Sequence, residues 1–153
     1  SIADTKTAVE NYHAIVRATD PTTFTARKPN HQTAVFGIAY CDKEDRVGRD
    51  VGCAAARWYY GDNDAELNPV RFATAGGVEK VKARMAGLSN DDLIDNGMAI
   101  GGNPDTICRT VENWARTGID QIIFMIQAGH TTHEQVMRSI DLIGEKVIPR
   151  FQT

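Results

Sequence analysis

The chain has 153 residues, 42% apolar and 24% charged, with a formal charge of −3 and a pI near 5.8. That is room for one domain with a real core, and its scattered Lys and Arg form no basic stripe of the kind nucleic-acid binding needs. No apolar run approaches ~18 residues and no secretory leader is visible, so the sequence carries no membrane-spanning helix. Cys41, Cys53 and Cys108 are odd in number and unpatterned, which reads as a reduced, cytoplasmic protein without a disulfide framework. The chain opens on Ser1 rather than Met, a hint of trimming.

In chain order, Ile2 to Ala18 carries Val9, Tyr12, Ile15 and Val16 on one face and predicts an amphipathic helix. Residues 19–30 hold two prolines and read as a loop. Thr33 to Tyr40 is β-rich and apolar on both faces, the pattern of a buried strand. Asp42 is then placed to cap a helix whose inner face is Val47, Val51, Ala54, Ala55 and Trp58. Residues 61–96 read as an insertion: a turn around G-D-N-D, a helical turn at 70–75, a short helix over 78–86 on Val78, Val81 and Met85, and a polar connection over 87–96. From Gly97 onward the chain alternates strand, helix, strand, helix with short loops, as parallel strands joined by crossovers require. Asn103 caps the helix that Pro104 starts, and Ile107, Val111, Trp114 and Ala115 form its inner face. Ile122 to Ile126 is a five-residue apolar run, expected to be buried on both sides. Thr131 or Thr132 caps the last helix, with Glu134 or Gln135 three residues on. Val136, Ile140, Ile143 and Val147 make its buried stripe, and Pro149 ends it.

Three βα units in one domain over 1–153 are too few for a self-sufficient parallel sheet, since a closed barrel of this type takes eight strands and about 250 residues. Open edges and apolar faces then call for more protein, from the same polypeptide or a second chain.

Several positions are candidates for chemistry. Gly101, Gly102 and Asn103 join a strand to a helix start, where free N–H groups can hold a phosphate or carboxylate; the same residues also make a well-capped turn. Gln127, Gly129 and His130 follow the last strand, at the end where α/β folds place their ligands. His130 and His133 are spaced as H-x-x-H, but no third ligand is near, so no metal is assigned. Trp58 and Tyr59 close a helix and either line an apolar substrate cavity or pack its end. No nucleophile elbow, P-loop or GxGxxG is present, and no self-contained catalytic set is visible.

Three runs in the last third, G-G-N-P-D-T-I, then W-A-R-T-G-I-D-Q-I-I-F-M-I-Q, then H-E-Q-V-M-R-S-I-D-L-I-G-E-K-V-I-P-R-F, resemble the C-terminal end of the luciferase-like flavin-dependent monooxygenases. The run H-Q-T-A-V-F-G-I-A-Y-C looks like the sixth barrel strand of that family. Asn103 stands where members carry Ser or Thr, which keeps the cap. The resemblance implies a partial TIM (β/α)8 barrel, strands six to eight with their helices, forming the C-terminal half of an oxidoreductase. Such an enzyme would use reduced FMN, supplied by a separate flavin reductase, and O2 to oxygenate a small organic substrate. Members that use a deazaflavin for hydride transfer share these motifs, and a shortened non-catalytic flavin-binding relative is a further alternative. The resemblance places Tyr40, Gly101 to Asn103 and Gln127 to His130 at the pocket mouth, walling flavin and substrate rather than supplying a nucleophile. It further implies that the chain alone is inactive and that it self-associates or pairs with the missing N-terminal half.

Overall fold

The computed structural model describes residues 1–25, 30–62 and 83–152. Helix α1 (Ile2–Ala18) opens on a capping box in which Ser1 and Asp4 bond each other's backbone. Strand β1 (Ala34–Cys41), helix α2 (Asp45–Arg57), a short helix α3 (Asn90–Asp95), strand β2 (Ile100–Gly102) and helix α4 (Pro104–Ala115) follow. Strand β3 (Gln121–Met125) and helix α5 (His133–Leu142) complete the set, and a wider turn over Ile143–Val147 runs on from α5 to Pro149.

The three strands are parallel, as the sequence predicts, in the order β2-β1-β3. Three consecutive barrel strands would lie in chain order with their helices on one side. Here β1 is central, and alternate residues of it enter two different cores. Ile38 packs with Cys53, Ala56, Leu93 and Ile94 from α2 and α3. Ala39 and Cys41 pack with Ile107, Cys108, Val111, Ile143 and Val147 from α4 and the last helix. The sheet is therefore covered on both faces, and numbering its strands six to eight does not follow from its order.

Pairing along β1 is divided. Ala34 to Ile38 pair with β3, whereas Ala39 to Cys41 pair with β2. Beyond Met125 no strand remains beside the end of β1, and α5 takes its place: the Cys41 N–H donates to the fully buried Ser139 hydroxyl at 2.9 Å. A buried amide must find a partner, which explains a polar residue where the apolar stripe of this helix would run. The stripe is accordingly Ser139, Ile143 and Val147, while Ile140 is exposed.

Helix α2 meets the sheet by a face other than the expected one. Its buried residues are Gly48, Gly52, Cys53, Ala55 and Ala56, and Val47 points outward. A Cβ on Gly48 would lie 2.3 Å from the Gly102 carbonyl oxygen, and one on Gly101 would lie 2.8 Å from that of Gly48. Helix and strand thus touch backbone to backbone, a contact only glycine permits. Asp42 does not cap α2. Glu44 holds the cap position without a side-chain bond, and Asp42 accepts the Glu44 N–H in the turn before it.

Further corrections concern exposure. On α1 only Val9 is buried, and Tyr12 and Ile15 face solvent. Ala115 is exposed and Cys108 replaces it in the core. Residues 87–96, expected as a polar connection, contain α3, capped by Ser89 and buried through Leu93 and Ile94. Neither β1 nor β3 is buried along its whole length: the register partners Phe36 and Ile123 remain 46% and 50% exposed. The expected helical turn at 70–75 and most of the 78–86 helix lie outside the described residues.

Candidate functional site

The predicted site residues fall into two groups, one at each end of α2. From Gly48 to Trp58 that helix spans about 15 Å at 1.5 Å per residue, so the groups do not share one pocket.

The first group lies at the carboxyl end of β1 and β2, where Tyr40 is the register partner of Gly101. Tyr40 is fully buried and its hydroxyl donates to Asp42 Oδ2 at 3.2 Å; Arg138 Nη1 donates to the same oxygen at 3.0 Å. Burial pushes the Asp42 carboxyl up, but bonds from the Glu44 N–H, Arg138 and Tyr40 outweigh it and hold the group below the usual range. Burial, with the Asp42 charge, raises the Tyr40 phenol, so Tyr40 stays a neutral donor locked onto Asp42. Its side chain is part of the core, not of an open mouth.

The Gly101–Asn103 turn has already found its anion. Asn103 caps α4 through Thr106 N at 3.0 Å, and its own N–H donates to Asp45 Oδ1 at 3.0 Å. Burial pushes the Asp45 carboxyl up, but bonds from Thr106, the Asn103 N–H and Arg49 prevail and bring it down to about 2. A carboxylate from α2 therefore sits where a phosphate would bind at such a helix start. The sequence reading missed Asp45 because the partner lies 58 residues away.

The second group surrounds a hollow of 190 Å³ lined by Val51, Trp58, Ala128, His130, Thr131 and Gln135 among others. Gly129 adopts φ +65°, and a Cβ there would sit 3.4 Å from both Ala55 Cα and Trp58 Cβ. This close approach folds the loop after β3 back onto α2. The rings of Trp58 and His130 meet edge to face with centroids 6.4 Å apart. Trp58 Nε1 is buried without a hydrogen-bond partner, an orphaned donor beside the hollow. Tyr59 turns the other way, edge-on to Phe36 and Tyr60. Among the described residues no group of three or more His, Cys, Asp or Glu could hold a metal ion. None of the described helices is long and apolar enough to cross a membrane.

No family model matches the chain. A curated relative, the 5,10-methylenetetrahydromethanopterin reductase of Methanopyrus kandleri, is 30% identical over 66 residues, which are 43% of this chain and 18% of the relative. A solved structure, that of the coenzyme F420 dependent tetrahydromethanopterin reductase from Methanopyrus kandleri, superposes with a TM-score of 0.56 at 17% identity, over 99% of this chain and 43% of its own. At that identity the structural likeness is one of fold. The chain spans less than half the length of either relative. In its fold and in part of its sequence the chain resembles the luciferase-like superfamily, of which that reductase is a member.

Proposed function

We propose that this chain is the C-terminal part of a luciferase-like oxidoreductase that works with a deazaflavin. The observation that carries the reading is that the sequence and fold comparisons meet on methanopterin reductases of one organism, the solved one being described as coenzyme F420 dependent. A deazaflavin, when bound, supplies hydride transfer, so this version needs neither O2 nor a separate flavin reductase; the FMN version of the family needs both.

The chain's own residues suit one edge of such a ring. Trp58, whose buried Nε1 has no hydrogen-bond partner, lines the hollow with Ala128 and His130, and a turn of its ring would bring that donor to a carbonyl or ring nitrogen. Gln127 would extend that lining, whereas Tyr59 faces Phe36 and Tyr60 instead. The hollow of 190 Å³ is smaller than the ~300–1,000 Å³ of cofactor-sized sites. The remaining wall would come from a larger parent, and the chain alone would turn nothing over. Gly101, Gly102 and Asn103 would meet an anionic tail only if it displaced the Asp45 carboxylate. Tyr40 would act from below, by fixing Asp42.

The test is a titration of the chain with coenzyme F420 and with FMN, followed by the fluorescence of each. F420 is expected to bind at least ten-fold more tightly, and Trp58→Phe, which removes the orphaned donor but keeps the ring bulk, is expected to weaken it several-fold. Equal affinities, or binding of FMN alone, would return the reading to an oxygenase.

A further inference from the structure

Asn96 and Gly97 are the only Asn-Gly pair in the sequence, and they stand where α3 ends. The fold requires glycine at 97: its φ is +69°, and a Cβ there would lie 2.6 Å from Ile2 Cγ1 and 2.8 Å from Trp114 Cζ2. Trp114 is buried and cannot turn aside, so no larger residue can follow Asn96. Asn96 itself is exposed to water, and its Nδ2 donates to the Asp92 carbonyl at 2.8 Å. Asparagine is a thermolabile residue, because the next backbone nitrogen can attack its side-chain amide. Glycine, with no side chain, hinders that attack least.

In the folded chain the attack is held off. At ψ −3° the Gly97 nitrogen lies about a third of a turn from Asn96 Cβ around the Cα–C bond. The Gly97 N–H donates to the Ile94 carbonyl at 2.9 Å, and the Asn96 N–H to that of Asp92 at 3.0 Å. α3 has six residues; Leu93 and Ile94 anchor it in the core, while Asp95 and Asn96 beyond them are exposed. So short a helix frays from its exposed end at little cost, and fraying frees the Gly97 nitrogen and the Asn96 side chain together. We infer that Asn96–Gly97 is a modification site, at which Asn96 loses its amide through a cyclic imide at a rate set by the opening of this last turn. The Gly97 nitrogen bonds to Asn96 Cγ, the Cγ–Nδ2 bond breaks, and Nδ2 leaves as ammonia with the Gly97 proton. Water then opens the imide at either carbonyl and leaves aspartate or isoaspartate. Neither carboxylate can donate to the Asp92 carbonyl, and each adds negative charge at the carboxyl end of α3, where the helix dipole opposes it. Isoaspartate also routes the main chain through Cβ. That displaces the Asn96 carbonyl, which accepts the Ile2 N–H at 3.0 Å and so satisfies a donor at the start of α1. Neither residue belongs to the groups assigned to the cofactor, so the inference does not rest on the deazaflavin reading.

The experiment is incubation of the full chain in mildly alkaline buffer, folded and in urea, followed by mass spectrometry of the tryptic peptide Met85 to Arg109. That peptide carries its own controls: Asn90 precedes Asp91, and Asn103 precedes Pro104, whose nitrogen has no proton to give. Asn96 is expected to show the mass change from NH2 to OH, with isoaspartate among the products, before Asn90 or Asn103 changes. The folded chain is expected to react ten- to a hundred-fold more slowly than the unfolded one. Ser89→Ala, which removes the cap of α3, is expected to speed the folded reaction at least three-fold. Hydrogen exchange at the Ile2 amide, followed by NMR, should rise at least three-fold in the converted protein. Equal rates folded and unfolded, a folded chain with Asn96 intact well beyond that range, a Ser89→Ala rate no faster than the parent's, or unchanged exchange at Ile2 would each overturn the assignment.

Discussion

Replacing Gly48 by Ala turns the seam between α2 and β2 into a measurement. On helix propensity alone the change stabilises, since Gly is about 1 kcal/mol less favourable than Ala inside a helix. The geometry opposes this. The new Cβ would lie 2.3 Å from the Gly102 oxygen, 2.5 Å from its carbonyl carbon and 2.7 Å from its Cα, all backbone atoms that no rotamer change can move. Overpacking costs about 1–3 kcal/mol in ordinary cores, and a rigid backbone partner places this case at the upper end, about 3 kcal/mol. The net effect is a loss of about 2 kcal/mol, or a fall in Tm of about 4–8 °C for a domain of this size. Gly144 is the internal control: it lies in the helical segment Ile143–Val147 and a Cβ there meets nothing within 4 Å. Gly144→Ala should therefore show the propensity gain alone, about 0.5–1 kcal/mol. Urea unfolding followed by far-UV circular dichroism gives both signs in one experiment. A Gly48→Ala protein as stable as the parent, or more so, would refute the backbone contact.

Ser139→Ala should cost about 1–3 kcal/mol, because it leaves the Cys41 N–H buried without an acceptor, and hydrogen exchange at Cys41 should accelerate with it. The Asp45 carboxyl, lowered from 3.8 to about 2, contributes stability that is complete above its unfolded value and is lost as pH falls through the folded one. Its side chain is 36% exposed, so the nominal ~2.4 kcal/mol at 1.36 kcal/mol per unit is reduced by solvent screening to about 1 kcal/mol. Asp45→Asn should accordingly flatten the acid limb of the stability curve between about pH 4 and pH 2. An unchanged acid limb would mean that Asp45 does not hold the start of α4.

Much of the architecture was legible because it is local. Caps such as Ser1, Asn103 and Thr132 reach only three residues, and the apolar runs at β1 and β3 announce strands whatever lies beside them. Three parallel strands, each followed by a helix, follow from that alone. The sheet order does not, since nothing within β3 says which edge of β1 it will join. The inner face of α2 was misread for a specific reason: hydrophobicity picks out Val47 and Val51, whereas the contact needs the smallest side chains, and Gly48 and Gly52 carry no apolar signal. At the candidate site, the turn chemistry of Gly101 to Asn103 was visible but its occupant was not, because Asp45 comes from another unit. Burial on both sides of β3 was overestimated because an apolar run looks the same at the edge of a sheet as at its centre.

The placement of β1 in the middle has a consequence for the order in which the chain can assemble. Thr33, at its start, bonds Asp120 across 87 residues, and the pairing with β3 begins one residue later. Once made, β1 thus waits for a partner that is translated 87 residues later, with residues as apolar as Val35, Phe36 and Ile38 unsheltered in the meantime. Such long-range closure is slow, and a nascent chain in this condition is a natural client for chaperones that hold extended apolar segments.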